Sequence, residues 1–274
     1  MKKYSGRSIV TVPVFTLLVA AYLLGSNDLT NTVSTNTSSS PEISVAATPT
    51  ISALPTQIAV PTEVAAPTKS PDPSDKVSDS PVLTQLANLE IKGRAPKTGY
   101  ARDLYGSAWS DVDRNGCDTR NDILQRDLTN ITFRSGTGNC VVESGFFYDP
   151  YTDNEFQFIK SSSGSSIEID HVVSLSDSWQ KGAQQWNSRT RKNFANDPLN
   201  LVATSMSANR AKSDSDAASW LPANKKIRCA FVARQVAIKS AYQLWVTQSE
   251  YDAIERILLT CPNQPVATSG TLNP

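Results

Sequence analysis

The sequence predicts an α+β domain over residues 81–264, with strands gathered in the middle and helices around them. Three observations lead there. Apolar residues recur at helical spacing near both ends of this stretch. Between them lie short strings rich in aromatic and β-branched residues, which suit half-buried strands. All five tryptophans and all four cysteines also fall in it.

Taken in order, Ser80 and Pro81 precede Leu83, Leu86 and Leu89, the start and apolar face of a short helix. A turn-rich stretch follows through GSAWSDVDRNGCD. It lacks the Gly and Glu positions of a calcium-binding loop and reads as a turn. A second helix, TRNDILQRDL, places Ile123, Leu124 and Leu128 on one face. FFYDP and FQFIK read as the arms of a hairpin, and the Ser-rich stretch from Ser161 to Ser166 as a loop. Ile167 to Asp170 alternates as a strand that delivers His171. Residues 175–195 turn helical and then loop, with Trp179 and Trp186 as packing anchors, a role also expected of Trp109 and Trp220. Leu199 to Thr204 is a further strand, and Ser207 is placed to cap a helix running through Lys212. Lys226 to Trp245 carries a helical stripe, and Thr247 to Glu250 has the form of a capping box for a last helix ending near Cys261. Residues 265–274 are expected to form a disordered tail.

The N-terminus differs. Lys2, Lys3 and Arg7 precede a nearly continuous apolar run from Ile9 to Gly25, so residues 1–26 read as a secretory signal, with a retained membrane anchor as the alternative. Residues 27–80 are a Ser, Thr, Pro, Ala and Val spacer without apolar period, expected to stay disordered. Export fits an even cysteine count and two disulfides. Of three pairings, Cys117 with Cys140 and Cys229 with Cys261 close local loops and are favoured. The second bond would tie the last two helices together.

Formal net charge is zero, so tight non-specific binding of nucleic acid is not expected. Affinity for phosphates has to come from a local patch or a bound cation. No Gly-x-Ser-x-Gly elbow occurs. The single histidine and the lack of a Cys-x-x-Cys pair argue against zinc.

The string from Ile167 to Lys212 carries the chemistry: IEIDHVVSL, then FANDPLNLVATSMSANRAK. Phosphodiester hydrolysis needs a base for water near neutral pH, which suits His171. It also needs charge stabilisation, which a hard divalent cation supplies through oxygen ligands. Asp170 offers a carboxylate and Asn209 an amide oxygen. Asn200 is placed to hydrogen-bond the loop that carries His171. Arg120 is read either as a phosphate contact or as a partner of Asp122 or Asp127, and Arg210 and Lys212 beside Asn209 as further phosphate contacts.

The strings GCDTRNDILQRDL, SGFFYDPYTD, IEIDHVVSLSDSWQKGA, FANDPLNL and ANRAKSDSDAASWLP resemble the HNH, or ββα-metal, nucleases, closest to exported bacterial members. The resemblance spans about residues 95–245. It implies a ββα-metal core embedded in a mainly helical domain. In that family His171 falls on the general base, Asp170 and Asn209 on the metal ligands, and Asn200 on the middle Asn. The interval from His171 to Asn200 is longer than in compact members. Mg²⁺ is the expected ion, with Mn²⁺ or Ca²⁺ as alternatives. DNA is the expected substrate and RNA a further candidate, with no protein partner. The competing expectation is a non-catalytic cell-envelope module on the same scaffold.

Overall fold

The computed structural model describes residues 80–160 and 166–273. The signal or anchor over 1–26, the spacer as far as residue 79, and all but the last residue of the serine loop lie outside the described residues. The described chain is α+β, as the sequence predicts.

Helix α1 (Pro81–Ala87) starts at the proline and buries Val82 and Leu86. A 3₁₀ turn, Arg102–Tyr105, follows. Helix α2 (Thr119–Asp127) is capped by Asp118, whose side chain accepts the Asn121 N–H. It stops at Leu128, which opens strand β1 (Leu128–Phe133) rather than extending the helical face. Strands β2 (Val142–Asp149) and β3 (Asn154–Ile159) form the expected hairpin. With β1 they make an antiparallel meander in the order β1-β2-β3. Strand β1 is missing from the sequence reading because it follows α2 without a breaker residue.

A second, two-stranded antiparallel sheet pairs β4 (Ile167–His171) with β5 (Leu201–Ser205), His171 opposite Leu201. Between them run α3 (Leu175–Trp179), a short 3₁₀ turn and α4 (Ser188–Ala195). Helix α5 (Met206–Lys212) follows β5 directly and packs on both strands. Its cap is Ser205, whose hydroxyl accepts the Ala208 N–H, not Ser207. Helices α6 (Arg228–Ala241) and α7 (Gln248–Leu258) close the domain.

Two apolar clusters result. One gathers α1, α6 and α7 around Leu86, Phe231, Val236 and Ile254. The other fills the space between α2 and the sheets with Leu124, Phe147, Phe158 and Leu201. Strand β4 joins them: Ile167 and Ile169 belong to the second, and Val172 and Val173, just past its end, to the first. Asp170 and His171 therefore sit at the seam. Asp149 reinforces it, accepting from Thr204 Oγ1 (2.9 Å) and the Ser205 N–H (3.2 Å), which ties the β2-β3 turn to β5.

Both expected disulfides are present, Cys117–Cys140 and Cys229–Cys261, the second joining α6 to the segment after α7. Residues 265–273 depart from the expected disorder. Leu272 is buried, Arg126 donates to the Ser269 carbonyl, and Arg234 donates to those of Thr268 and Gly270. Apolar burial and two guanidinium clips hold a segment whose composition suggested none.

A buried ion network crosses the helical half. Lys181 Nζ contacts Asp177 (2.8 Å), Asp216 (2.8 Å) and Glu250 (2.6 Å). Lys239 reaches Glu250 (3.0 Å) and Asp177 (3.4 Å), and Arg94 reaches Asp177 (2.9 Å) and Asp216 (2.7 Å). Three cations face three carboxylates, so the cluster is charge-balanced. Only half of the α7 capping box forms as expected. Thr247 Oγ1 accepts the Glu250 N–H, but the Glu250 carboxylate goes to the two lysines.

Glu250→Ala leaves two buried ammonium groups short of a partner and is expected to cost about 3–5 kcal/mol, read from denaturant unfolding. Burial alone would raise the Asp216 carboxyl, but Lys181 and Arg94 outweigh it and hold the group down at about 2. The unfolded chain then binds the proton more readily than the folded one. The stabilisation from Asp216 is complete above the ordinary carboxylate range and is lost as pH falls through about 2. A thermal midpoint that drops steadily below about pH 4 is the expected result.

Candidate active site

Strand β4 ends at His171, and this lets two neighbours on a strand face one groove. Asp170, His171 and Asn209 line the same polar groove, with Lys97, Arg102 and Asp214 at its rim. Asn209 comes from the exposed side of α5, and Asp170 and His171 from the strand end beneath it.

His171 is buried, and its Nε2 lies 2.9 Å from the Ala195 carbonyl oxygen. A carbonyl only accepts, so Nε2 carries the proton and Nδ1 is the basic nitrogen of the neutral ring. No protein group bonds Nδ1 among the described residues. Burial, with Arg102 and Lys212 nearby, pushes the imidazole down to about 3. The Trp109 indole lies nearly parallel to the ring, 6.3 Å between centroids and 14° between planes. Trp109 has a φ of 57°, a left-handed conformation that is strained for a bulky side chain. The sequence reading cast Trp109 only as a core anchor. It packs against the sheet-side cluster and also covers the imidazole.

Asn200 is fully buried just before β5. Its Oδ1 accepts the Val173 N–H (2.9 Å) and its Nδ2 donates to the Val173 carbonyl (3.2 Å). The chain leaving His171 is thereby stapled to the start of β5. Asp170 is engaged on both oxygens: Tyr151 Oη donates to one (2.8 Å) and Lys212 Nζ to the other (2.9 Å). Burial raises its carboxyl, and Lys212 and Tyr151 counter that in part. Asn209 Nδ2 donates to Glu168 (2.7 Å), and its Oδ1 has no partner among the described residues.

The expected phosphate contacts fare differently. Lys212 is fully buried, its ammonium spent on Asp170 and the His171 carbonyl (2.8 Å), so it presents no charge to a ligand. The helical period of α5 turns it inward, whereas Arg210 stands exposed 4.0 Å from Glu168. Arg120 is half-buried and donates to the Ile167 carbonyl at the start of β4 (3.1 Å). It pairs with neither Asp122 nor Asp127, since Arg126 takes Asp127 (2.7 Å). Tyr151, Glu168 and Arg102 are site neighbours that sequence reasoning missed. Glu168 was open to it, because strand alternation puts residues 168 and 170 on one face.

Among the described residues no group of three or more His, Cys, Asp or Glu side chains converges as a metal cage. No described helix is long and apolar enough to cross a membrane.

Comparison with known proteins places the chain in a nuclease-related family. Residues 118–257, which contain β1 to β5 and Asp170, His171 and Asn209, match the family "GmrSD restriction endonucleases, C-terminal domain". The chain belongs to that family. A protein of Arthroderma benhamiae (strain ATCC MYA-4681 / CBS 112371), described as an uncharacterized secreted protein, is 34% identical over 193 residues, covering 70% of this chain and 90% of its own length. That relative is fungal, so the likeness is not confined to bacterial proteins. Its secreted description and the two disulfides agree with an extracellular location. No solved structure matches the chain.

His171 is the chain's single histidine, so its imidazole signal in a nuclear magnetic resonance titration is unambiguous. It is expected not to titrate between pH 8 and 5, given a value of about 3. Trp109→Ala opens the ring to water and is expected to move its titration up towards the ordinary value near 6.5. A native imidazole that protonates near 6.5 would show that the indole does not shield it.

Proposed function

We propose that this chain is an exported HNH-type endonuclease that hydrolyses phosphodiester bonds in DNA with His171 as general base. The observation that carries the reading is the bond between His171 Nε2 and the Ala195 carbonyl (2.9 Å). It fixes the tautomer and leaves an unpaired basic nitrogen in a groove shared with Asp170 and Asn209. The arrangement of β4, β5 and α5 supports reading this part of the fold as a ββα-metal core. The match to restriction endonuclease domains supports the reaction class.

In this reading Nδ1 takes a proton from water as the oxygen attacks phosphorus. The bond from phosphorus to the 3′ oxygen breaks, solvent protonates the leaving oxygen, and the phosphate stays on the 5′ side. At about 3 the imidazole is a weak base in the free protein. The scissile phosphate brings negative charge to it and offsets the repulsion from Arg102 and Lys212, so bound substrate raises its proton affinity. Asn200 holds the chain after the ring in place throughout.

The donor chemistry suits a hard divalent cation such as Mg²⁺, which keeps several waters and needs only one or two protein oxygens. The unpartnered Asn209 Oδ1 would hold it, and the Asp170 carboxylate would join only by giving up its bond from the Tyr151 hydroxyl or the Lys212 ammonium. When bound, such an ion supplies positive charge against that developing on the phosphoryl and leaving oxygens.

Plasmid DNA incubated with the protein and Mg²⁺ is expected to be cleaved, and a chelator to stop cleavage. His171→Ala is expected to reduce the rate by about 10²–10⁴-fold. Equal cleavage by the variant removes the base assignment, and no cleavage with any divalent cation favours the non-catalytic envelope module.

A further inference from the structure

A chain of zero net charge that acts on a polyanion needs a local concentration of cations, and the residues nominated from the sequence do not provide one. Lys212 is buried and Arg120 is bonded to a backbone carbonyl. Among the described residues, three cations without a partner lie together in a second groove. Arg189 and Lys192 stand exposed on α4, and Arg114 is exposed in the loop that also holds Asp111 and Gly116. Among the described residues none of the three side chains has an ion-pair or hydrogen-bond partner, and they line one groove of about 740 Å³.

That groove adjoins the candidate active site. Gly106 lies in its wall and also in the wall of the small cavity that touches His171 and Trp109. Arg102 lines both this cavity and the groove of Asp170 and Asn209. It too is exposed and has no partner among the described residues. Two carboxylates share the wide groove, Asp103 and Asp111, and Asp111 is already occupied by the Gly116 N–H (3.0 Å) and Asn115 N–H (3.2 Å). Arg191 adds its charge from beneath, its guanidinium spent on the Leu104, Ala183 and Trp186 carbonyls. Positive charge outweighs negative.

We propose that this groove is the track for the phosphodiester backbone flanking the scissile bond, with Arg114, Arg189 and Lys192 contacting phosphates and Arg102 linking the track to His171. The assignment rests on the nuclease reading and adds where the strand runs. Unpaired, solvated cations suit it. Phosphate contacts position a strand without reading its sequence, and their energy comes from release of counterions. A volume of this size exceeds the needs of a single bound ion, and its adjacency, through Gly106, to the cavity that touches His171 suits a strand that must pass the reacting phosphate.

The test measures binding of a labelled DNA duplex across a salt series, using His171→Ala as the uncleaving background. On that background Arg114→Gln, Arg189→Gln and Lys192→Gln are combined, with Lys225→Gln as a control away from the groove. Each lost phosphate contact removes close to one unit from the slope of log affinity against log salt, so the triple variant is expected to lose about 3 and the control nothing. With His171 intact, the triple variant is expected to raise KM and leave kcat unchanged. An unchanged slope and KM in the triple variant, while the parent still binds and cleaves DNA, overturn the track and spare the nuclease reading. Failure of the parent to bind or cleave DNA sinks both.

Discussion

The helical half depends on burying five charges together, with Arg94 closing the cluster from its solvent-exposed edge, without leaving one uncompensated. Lys181, Lys239 and Glu250 are fully buried, so each would be costly alone. The network draws Asp177 from α3 and Lys181 from just after it, Lys239 from α6, Glu250 from α7, Asp216 from the turn after α5 and Arg94 from the segment after α1. Most of these pieces are far apart in sequence, and the ion pairs fix how they meet. An apolar cluster of similar volume would tolerate small shifts of its helices. Ion pairs at 2.6–3.0 Å tolerate them less, because length and direction both matter. Because Asp177 belongs to α3, in the long insertion between β4 and β5, the network also anchors the insertion that supplies Ala195.

The candidate site inherits that rigidity. His171 needs three supports: the Ala195 carbonyl for its tautomer, the Asn200 staple for the chain behind it, and the Trp109 indole over its face. They come from the end of α4, the start of β5 and the loop before α2. Lys212 adds a fourth constraint by gripping Asp170 and the His171 carbonyl at once. Charge at this site is therefore managed by burial and pairing. Apart from Arg102, the groove-lining cations without a partner among the described residues lie in the neighbouring groove, where the ligand's own charge would meet them.

Local patterns made most elements legible. The hairpin of β2 and β3, the strand carrying Asp170 and His171, and the helices after residue 226 follow from alternation and apolar period. Loop length favoured the two cysteine pairs, and they form. Strand β1 escaped because Leu128 continues the apolar face of α2 so well that nothing marks the change. Asp170, His171 and Asn209 were legible from their residue types and from the resemblance of the surrounding string to HNH nucleases. Site residues were illegible where long-range contact decides. Nothing near Lys212 in sequence reveals that Asp170 and the His171 carbonyl draw it inward. Nothing near Trp109 reveals that it reaches an imidazole on a distant strand. The Glu250 carboxylate likewise leaves its local cap for two lysines that only the tertiary fold brings close.

The final residues carry a lesson about where this domain stops. A cut after Gln264, where composition and the last helix both suggest an end, would strip Leu272 from its apolar seat. It would also take away the backbone oxygens that Arg234 and Arg126 hold. Arg234 is almost wholly enclosed, so its guanidinium would be left charged with nothing to receive its hydrogens. The natural unit for expression therefore includes the apparent leftover, which works as a latch across the back of β5.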